Sequence, residues 1–349
     1  MKTGQHVRRK HHQPHRNRST AWLTAFLVAA GWSAHADQST NAPAAPAAQP
    51  APTAKADDKG PPLPLHQIEG NGGIFSTLSA YIVNPPRNGE AVGRPAVGFS
   101  YVDLGHGQDL EALTLTESPL SRLELGYGYN NFNLGNLPLD VSRATGGGLI
   151  LSETSVELHN FNARVQILKE GEFDQKWIPA LTFGAHYKYN ATYNAVNREL
   201  TTPGAPFPDG ALKAIGVSQN NGVDFTLYAS KLFTQLPRPV LVELGGRATE
   251  GVWNGLLGFT DQYQFLFEGN VVVFVTDSIA LAAEYRQQNT DYNYSAIPSL
   301  IGKAGDWWTI DAAYVVNKHM TLAVGYGHFG TVLNNEANGV WGVTTKWEF

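Results

Sequence analysis

The chain has 349 residues, a net charge of −5, a mean hydropathy of −0.23 and no cysteine. These values exclude thiol catalysis, zinc–thiolate sites and disulfide scaffolds, and they exclude a helical membrane bundle, which would need several apolar runs of about 20 residues. Glycine is abundant (36), as are aromatics (16 Phe, 14 Tyr, 8 Trp), a mixture that suits many strands, tight turns and interfacial girdles.

Residues 1–36 read as a secretory signal peptide. Lys2, Arg8, Arg9, Lys10, Arg16 and Arg18 form a basic n-region, residues 21–30 an apolar h-region, and Ala34-His35-Ala36 an A-x-A cleavage site. His6, His11, His12 and His15 fall in the part that is removed, which argues against a metal site there. Cleavage takes six basic residues and no acid from a chain already at −5, so the mature charge is about −11 and nucleic acid is excluded as a partner. Residues 37–66 are rich in Ala and Pro, which fixes φ and removes donors, and are expected to form a disordered periplasmic tether. Residues 67–90 begin glycine-rich and contain one candidate strand at 75–83.

From residue 91 onward, period-two apolar runs recur between turn signals. Strands are predicted at 91–104, 109–117, 121–134, 152–168, 177–191, 222–234, 239–253, 262–276, 279–291, 305–317, 320–330 and 338–349. Tight connections, such as Leu236-Pro237-Arg238-Pro239, Asp277-Ser278 and Asn317-Lys318-His319, alternate with long ones at 135–151, 192–221, 254–261, 292–304 and 331–337. That alternation is what periplasmic turns and extracellular loops produce. The fold class is therefore all-β: a closed antiparallel transmembrane β-barrel of about 12 strands over 91–349. Counting back from the last strand puts residue 91 on the same side as the tether, so twelve strands close without 67–90. That segment is expected to lie in or across the barrel mouth as a plug; as extra strand it would favour the alternative count of 14.

Each strand has a nearly charge-free face, exemplified by Val97, Phe99 and Tyr101, by Leu281, Ala283 and Tyr285, and by Leu322, Val324 and Tyr326, which is assigned to lipid. The opposite face carries charges of both signs among Gly, Ala, Thr and Asn: Arg122, Glu124, Arg164, His186, Lys188, Asp224, Glu243, Arg247, Glu268, Glu284, Arg286, Asp311, Lys346 and Glu348. These are the candidate lumen-lining residues. Twelve strands imply a narrow lumen, bridged by ion pairs such as Glu284 or Glu243 with Arg247 or Arg286. The charges either satisfy one another and hold the barrel's shape or select solutes.

The terminal run Trp341-Gly-Val-Thr-Thr-Lys-Trp-Glu-Phe349 resembles the closing strand of Gram-negative outer-membrane β-barrels. The resemblance implies an outer-membrane location, lipid contact, and Trp347 and Phe349 as an insertion signal read by the barrel-assembly machinery. The set Ile68-Glu-Gly-Asn-Gly-Gly73, Arg122-Leu-Glu-Leu-Gly-Tyr127, Ala283-Glu-Tyr-Arg286, Asp306-Trp-Trp308 and Asn317-Lys-His319 resembles a bacterial barrel family known only as a domain of unknown function. It implies fold and location, with no activity.

His159, His186 and His328 could each approach a Ser or Thr across strands, as in outer-membrane lipases, but no G-x-S-x-G or comparable motif supports catalysis. No cofactor or metal motif occurs. The leading expectation is a narrow porin-like channel for passive passage of small solutes. The alternatives are a hydrophobic-compound transporter with residues 68–74 as plug, favoured by an apolar internal cavity, and a non-transporting structural barrel. A homo-oligomer is left open.

Overall fold

The computed structural model describes residues 65–349, apart from 88 and 205; the expected signal peptide and almost all of the expected tether lie outside the described residues. Twelve strands form the barrel: β3 (Ala96–Gly105), β4 (Gln108–Leu120), β5 (Leu123–Leu134), β6 (Ser155–Leu168), β7 (Ala180–Asn190), β8 (Asn221–Phe233), β9 (Val240–Val252), β10 (Gly258–Phe274), β11 (Ile279–Arg286), β12 (Ala304–Val315), β13 (Met320–Val332) and β15 (Val340–Glu348). Each pairs antiparallel with its neighbours in sequence order, and β15 returns to β3 through Val343 opposite Tyr101 and Trp347 opposite Val97, so the sheet has no free edge. β14 (Asn335–Glu336) is a two-residue extension against β13. The twelve-strand count holds, and residues 75–83 form no strand.

Alternation builds the wall. Along β3 and β15 every second side chain is buried, and the partners of the lipid face line up across strands, as in the row Ala312, Val324, Val343 and Tyr101. Val97, Phe99, Leu125, Phe183, Leu281, Ile310 and Val324 are all exposed and together form an apolar belt. Trp177, Trp308, Trp341 and Trp347 are exposed as well, as interfacial aromatics are.

Tight turns gather at one end of the barrel and longer connections at the other. At the loop end only the β3–β4 turn is tight: His106 and Gly107 both have positive φ (55 and 75), the geometry whose twist matches that of a hairpin. The loops carry α1 (Leu137–Ala144), α2 (Tyr193–Glu199) and α3 (Ala211–Ala214). α1 has Pro138 and Asp140 in its first turn and Arg143 in its last, and buries Leu137 and Val141. These helices pack with the upper interior wall into one apolar cluster that includes Phe132, Leu158, Trp253, Trp307 and Phe329. The 192–221 loop thus folds over the mouth.

Residues 65–83 lie inside the barrel. The hairpin of β1 (Leu65–Gln67) and β2 (Asn71–Gly73) is buried throughout, so Leu65 and His66 belong to this plug and not to the tether. Its tip rests on the backbone of β5. A Cβ at Gly126 would lie 2.0 Å from the Gly70 carbonyl oxygen, and one at Gly128 would lie 2.4 Å from that of Glu69, so any side chain at either position would push the plug off the wall.

The belt predicts a depth-dependent cost. Val324→Arg, in mid-strand on the outward face, should destabilise the barrel by roughly 2–4 kcal/mol in urea titrations in lipid vesicles, while Val316→Arg beside the β12–β13 turn should cost about 0–1 kcal/mol. Equal costs would place the hydrocarbon elsewhere.

Candidate functional site

The site lies at mid-height, where charged wall residues meet the plug. Glu124, Arg164, His186, Lys188, Asp224, Glu243, Arg247, Glu268, Glu284, Arg286, Asp311 and Lys346 are all buried. They line no open water column. Arg122 departs from the lumen assignment: it stands at the β4–β5 turn, partly exposed, and binds Glu172 and the Ile167 carbonyl. That guanidinium's hydrogen bond holds the Glu172 carboxyl below its ordinary value. Glu348 sits at the turn-end rim, paired with Lys346. Trp347 and Phe349 point outward.

Three cations and three carboxylates form the centre. Arg247 reaches Glu69 of the plug (2.9 Å), Asp224 (2.8 Å) and Glu268 (2.6 Å). Arg286 bonds Glu69 (2.7 Å) and Glu268 (3.1 Å), and Lys188 bonds Asp224 (2.8 Å) and lies 3.4 Å from Glu69. Burying an ion costs several kcal/mol unless opposite charge surrounds it. The six charges cancel only when Glu69 is present, so the wall alone carries an excess of one positive charge here.

The remaining wall carboxylates hold plug backbone. Glu284 accepts from the successive N–H groups of Phe75 (3.2 Å), Ser76 (3.1 Å) and Thr77 (2.7 Å), an anion nest of the kind successive amides make. Glu124 accepts from Gly72 N–H (3.1 Å) and Val83 N–H (2.7 Å) and pairs with Arg164 (2.9 Å). Glu243 accepts from the hydroxyls of Ser79 and Ser230. The expected pairing of Glu284 or Glu243 with Arg247 or Arg286 is therefore not what forms: the arginines turn to Glu69, which those pairings omit, and the two glutamates serve the plug. Further bonds run from Asn130 to the Ile68 carbonyl (2.8 Å) and from Asn162 to that of Glu69 (2.7 Å), while His66 meets Thr114 (2.9 Å) and Thr116 (2.6 Å).

Above this layer the interior is apolar, and below it apolar side chains mix with Lys169, Glu170, Asp277 and Asp311. At the turn end a cavity of about 450 Å³ is lined by Ile74, Tyr81, Leu241, Val272, Phe274 and Ala282, among others. At the loop end a second cavity, of about 290 Å³, lies beneath the helices. Its Tyr193 donates to the Val217 carbonyl (2.7 Å), and burial pushes the phenols of Tyr193 and the nearby Tyr292 up to about 12.

Of the three histidines weighed for catalysis, His159 bonds Tyr127 (2.9 Å) and His328 stacks on Trp308. His186 lies between Asn162 (2.8 Å) and Thr226 (2.8 Å), an order of groups like that of a triad, but all three are buried under the plug, and Asn162 is also bonded to it. Among the described residues no group of three or more His, Asp or Glu could hold a metal ion.

The network makes Arg247 the costliest single residue to lose. Arg247→Met leaves three carboxylates under-compensated and should destabilise the protein by about 3–5 kcal/mol in urea titration. The exposed pair Arg94–Glu90 provides the control, with Arg94→Met expected to cost about 0–1 kcal/mol.

Comparison with solved structures gives distant likenesses. The KdgM porin superposes with a TM-score of 0.42 at 9% identity, covering 73% of this chain and 99% of that one. Omp33 of Acinetobacter baumannii gives 0.39 at 9% identity (74% and 99%), and the COG4313 outer membrane channel of Pseudomonas putida F1 gives 0.38 at 12% identity (74% and 96%). No curated protein matches the sequence. A family model matches residues 65–344, from the first residue of the plug hairpin into the closing strand, and by that match the chain belongs to the family of proteins of unknown function DUF3034.

Proposed function

We propose that the protein is a porin-like channel of the outer membrane, for passive passage of small solutes, that residues 65–83 hold shut. The apolar belt supports the location, with the tight turns at the periplasmic side and the long loops outside. Trp347 on β15 and Phe349 just beyond it, both exposed, would serve as the signal for the assembly machinery.

The observation that carries the reading is the match between Glu69 and its socket. A segment from outside the sheet supplies the third carboxylate of the cluster around Arg247, Arg286 and Lys188, and wall glutamates take up its main-chain N–H groups. Without the plug, the twelve-stranded wall presents a ring of both signs around a water-accessible bore. Such a ring would pass small polar solutes and weigh their charge.

Planar-bilayer recording tests this. The intact protein should be mostly closed, and deletion of 65–83 should give steady conductance steps. Glu69→Ala, which removes the anion but keeps the segment, should open more often than the intact protein. A silent deletion variant that still shows heat-modifiable migration on gels would mean that the barrel is a structural element and not a channel.

A further inference from the structure

The loop-end cavity is lined by Leu137, Val141, Val196, Leu212, Trp253 and Leu300 among others, and no Lys, Arg, Asp or Glu takes part. An apolar cavity of about 150 Å³ stays dry and admits one benzene ring. At about 290 Å³ this one has room for two fused rings. One polar atom of the lining is unaccounted for: the indole N–H of fully buried Trp253 has no acceptor. The backbone is left-handed at Trp253 (φ 47) and at Asn254 (φ 63), a conformation that bulky residues adopt only where the surroundings impose it, and such places cluster at binding sites.

Neighbouring bonds tie this turn to the plug. Asn190 donates to the carbonyls of Gly255 (3.0 Å) and Leu256 (2.9 Å), and Lys188 donates to that of Asn254 (3.2 Å). Lys188 is also one of the three cations around Glu69.

We propose that the cavity is a binding site for a compact, uncharged hydrophobic molecule of about two rings carrying one hydrogen-bond acceptor, and that its occupancy loosens the plug through the Trp253–Lys188 connection. The ligand is uncharged because the lining offers no counter-ion. The acceptor meets the indole N–H. A ligand that shifts the turn alters the Asn254–Lys188 bond and with it the balance at Glu69. This second half rests on the plugged-channel reading; the binding site does not.

Equilibrium dialysis of 1-naphthol against the full-length protein in amphipol, with empty amphipol as blank, tests the site. We expect one saturable site, severalfold weaker in Trp253→Phe, which keeps the ring and loses the N–H. It should be roughly tenfold weaker or more in Val141→Phe/Val196→Phe, which fills the space, and likewise for 1-naphthoate at neutral pH. Uptake that follows amphipol alone, or equal binding by all variants, would overturn the site. In bilayers 1-naphthol should raise the opening frequency of the intact protein and leave that of the 65–83 deletion unchanged. Saturable binding with unchanged openings overturns the link to the plug, whereas a silent deletion variant overturns the channel reading and leaves the binding result standing.

Discussion

Charge balance in a medium of low dielectric constant governs the interior. Arg247, Arg286 and Lys188 are buried and share their carboxylate partners, Glu69 being common to all three. Their mutual repulsion is tolerable only with three carboxylates among them. Asp224 and Glu268 come from the wall, and the third comes from a segment with no place in the sheet. The plug is thus held by the carboxylate it adds to this cluster, reinforced by Glu284 and Glu124 on its amide groups.

Most of the barrel was legible in the sequence because hydrocarbon imposes a rule with a period of two. Runs such as Leu322, Val324 and Tyr326 leave no other role for the alternate positions, and the tight turns stop each run. The boundaries that slipped are those where the rule lapses. β10 begins at Gly258, four residues before its predicted start, because its register with β9 breaks between Phe259 and Gln264. β11 ends at Arg286, five residues early, as the chain leaves the sheet for the cap.

The inward charges were legible as a set, but their partners were not. Which side chains meet across a closed wall depends on shear and on whatever fills the bore, and neither can be read along one strand. Glu69 stood in the motif Ile68-Glu-Gly-Asn-Gly-Gly73, where the glycines drew attention and the carboxylate did not. No count along the strands would have found it: β7 to β11 carry three inward cations (Lys188, Arg247 and Arg286) and four inward carboxylates (Asp224, Glu243, Glu268 and Glu284), and only the folded geometry shows Glu243 and Glu284 turned to the plug. The apolar layers were missed for a different reason. Inside residues such as Leu241, Val272 and Phe132 look like lipid-facing ones, so in these stretches both faces of a strand are greasy and parity no longer tells inside from out.

That layering has a consequence for hydration. A bore that is ionic in the middle and largely apolar toward its ends holds water poorly at those ends while its stopper, which itself contributes Ile68 and Phe75 to the apolar cluster, is in place. Once the stopper is displaced, hydrated ions still meet two less polar collars, which a solute with little water to lose crosses more easily. Insulation of the envelope and preference among cargoes would then come from these collars together with the charged waist between them.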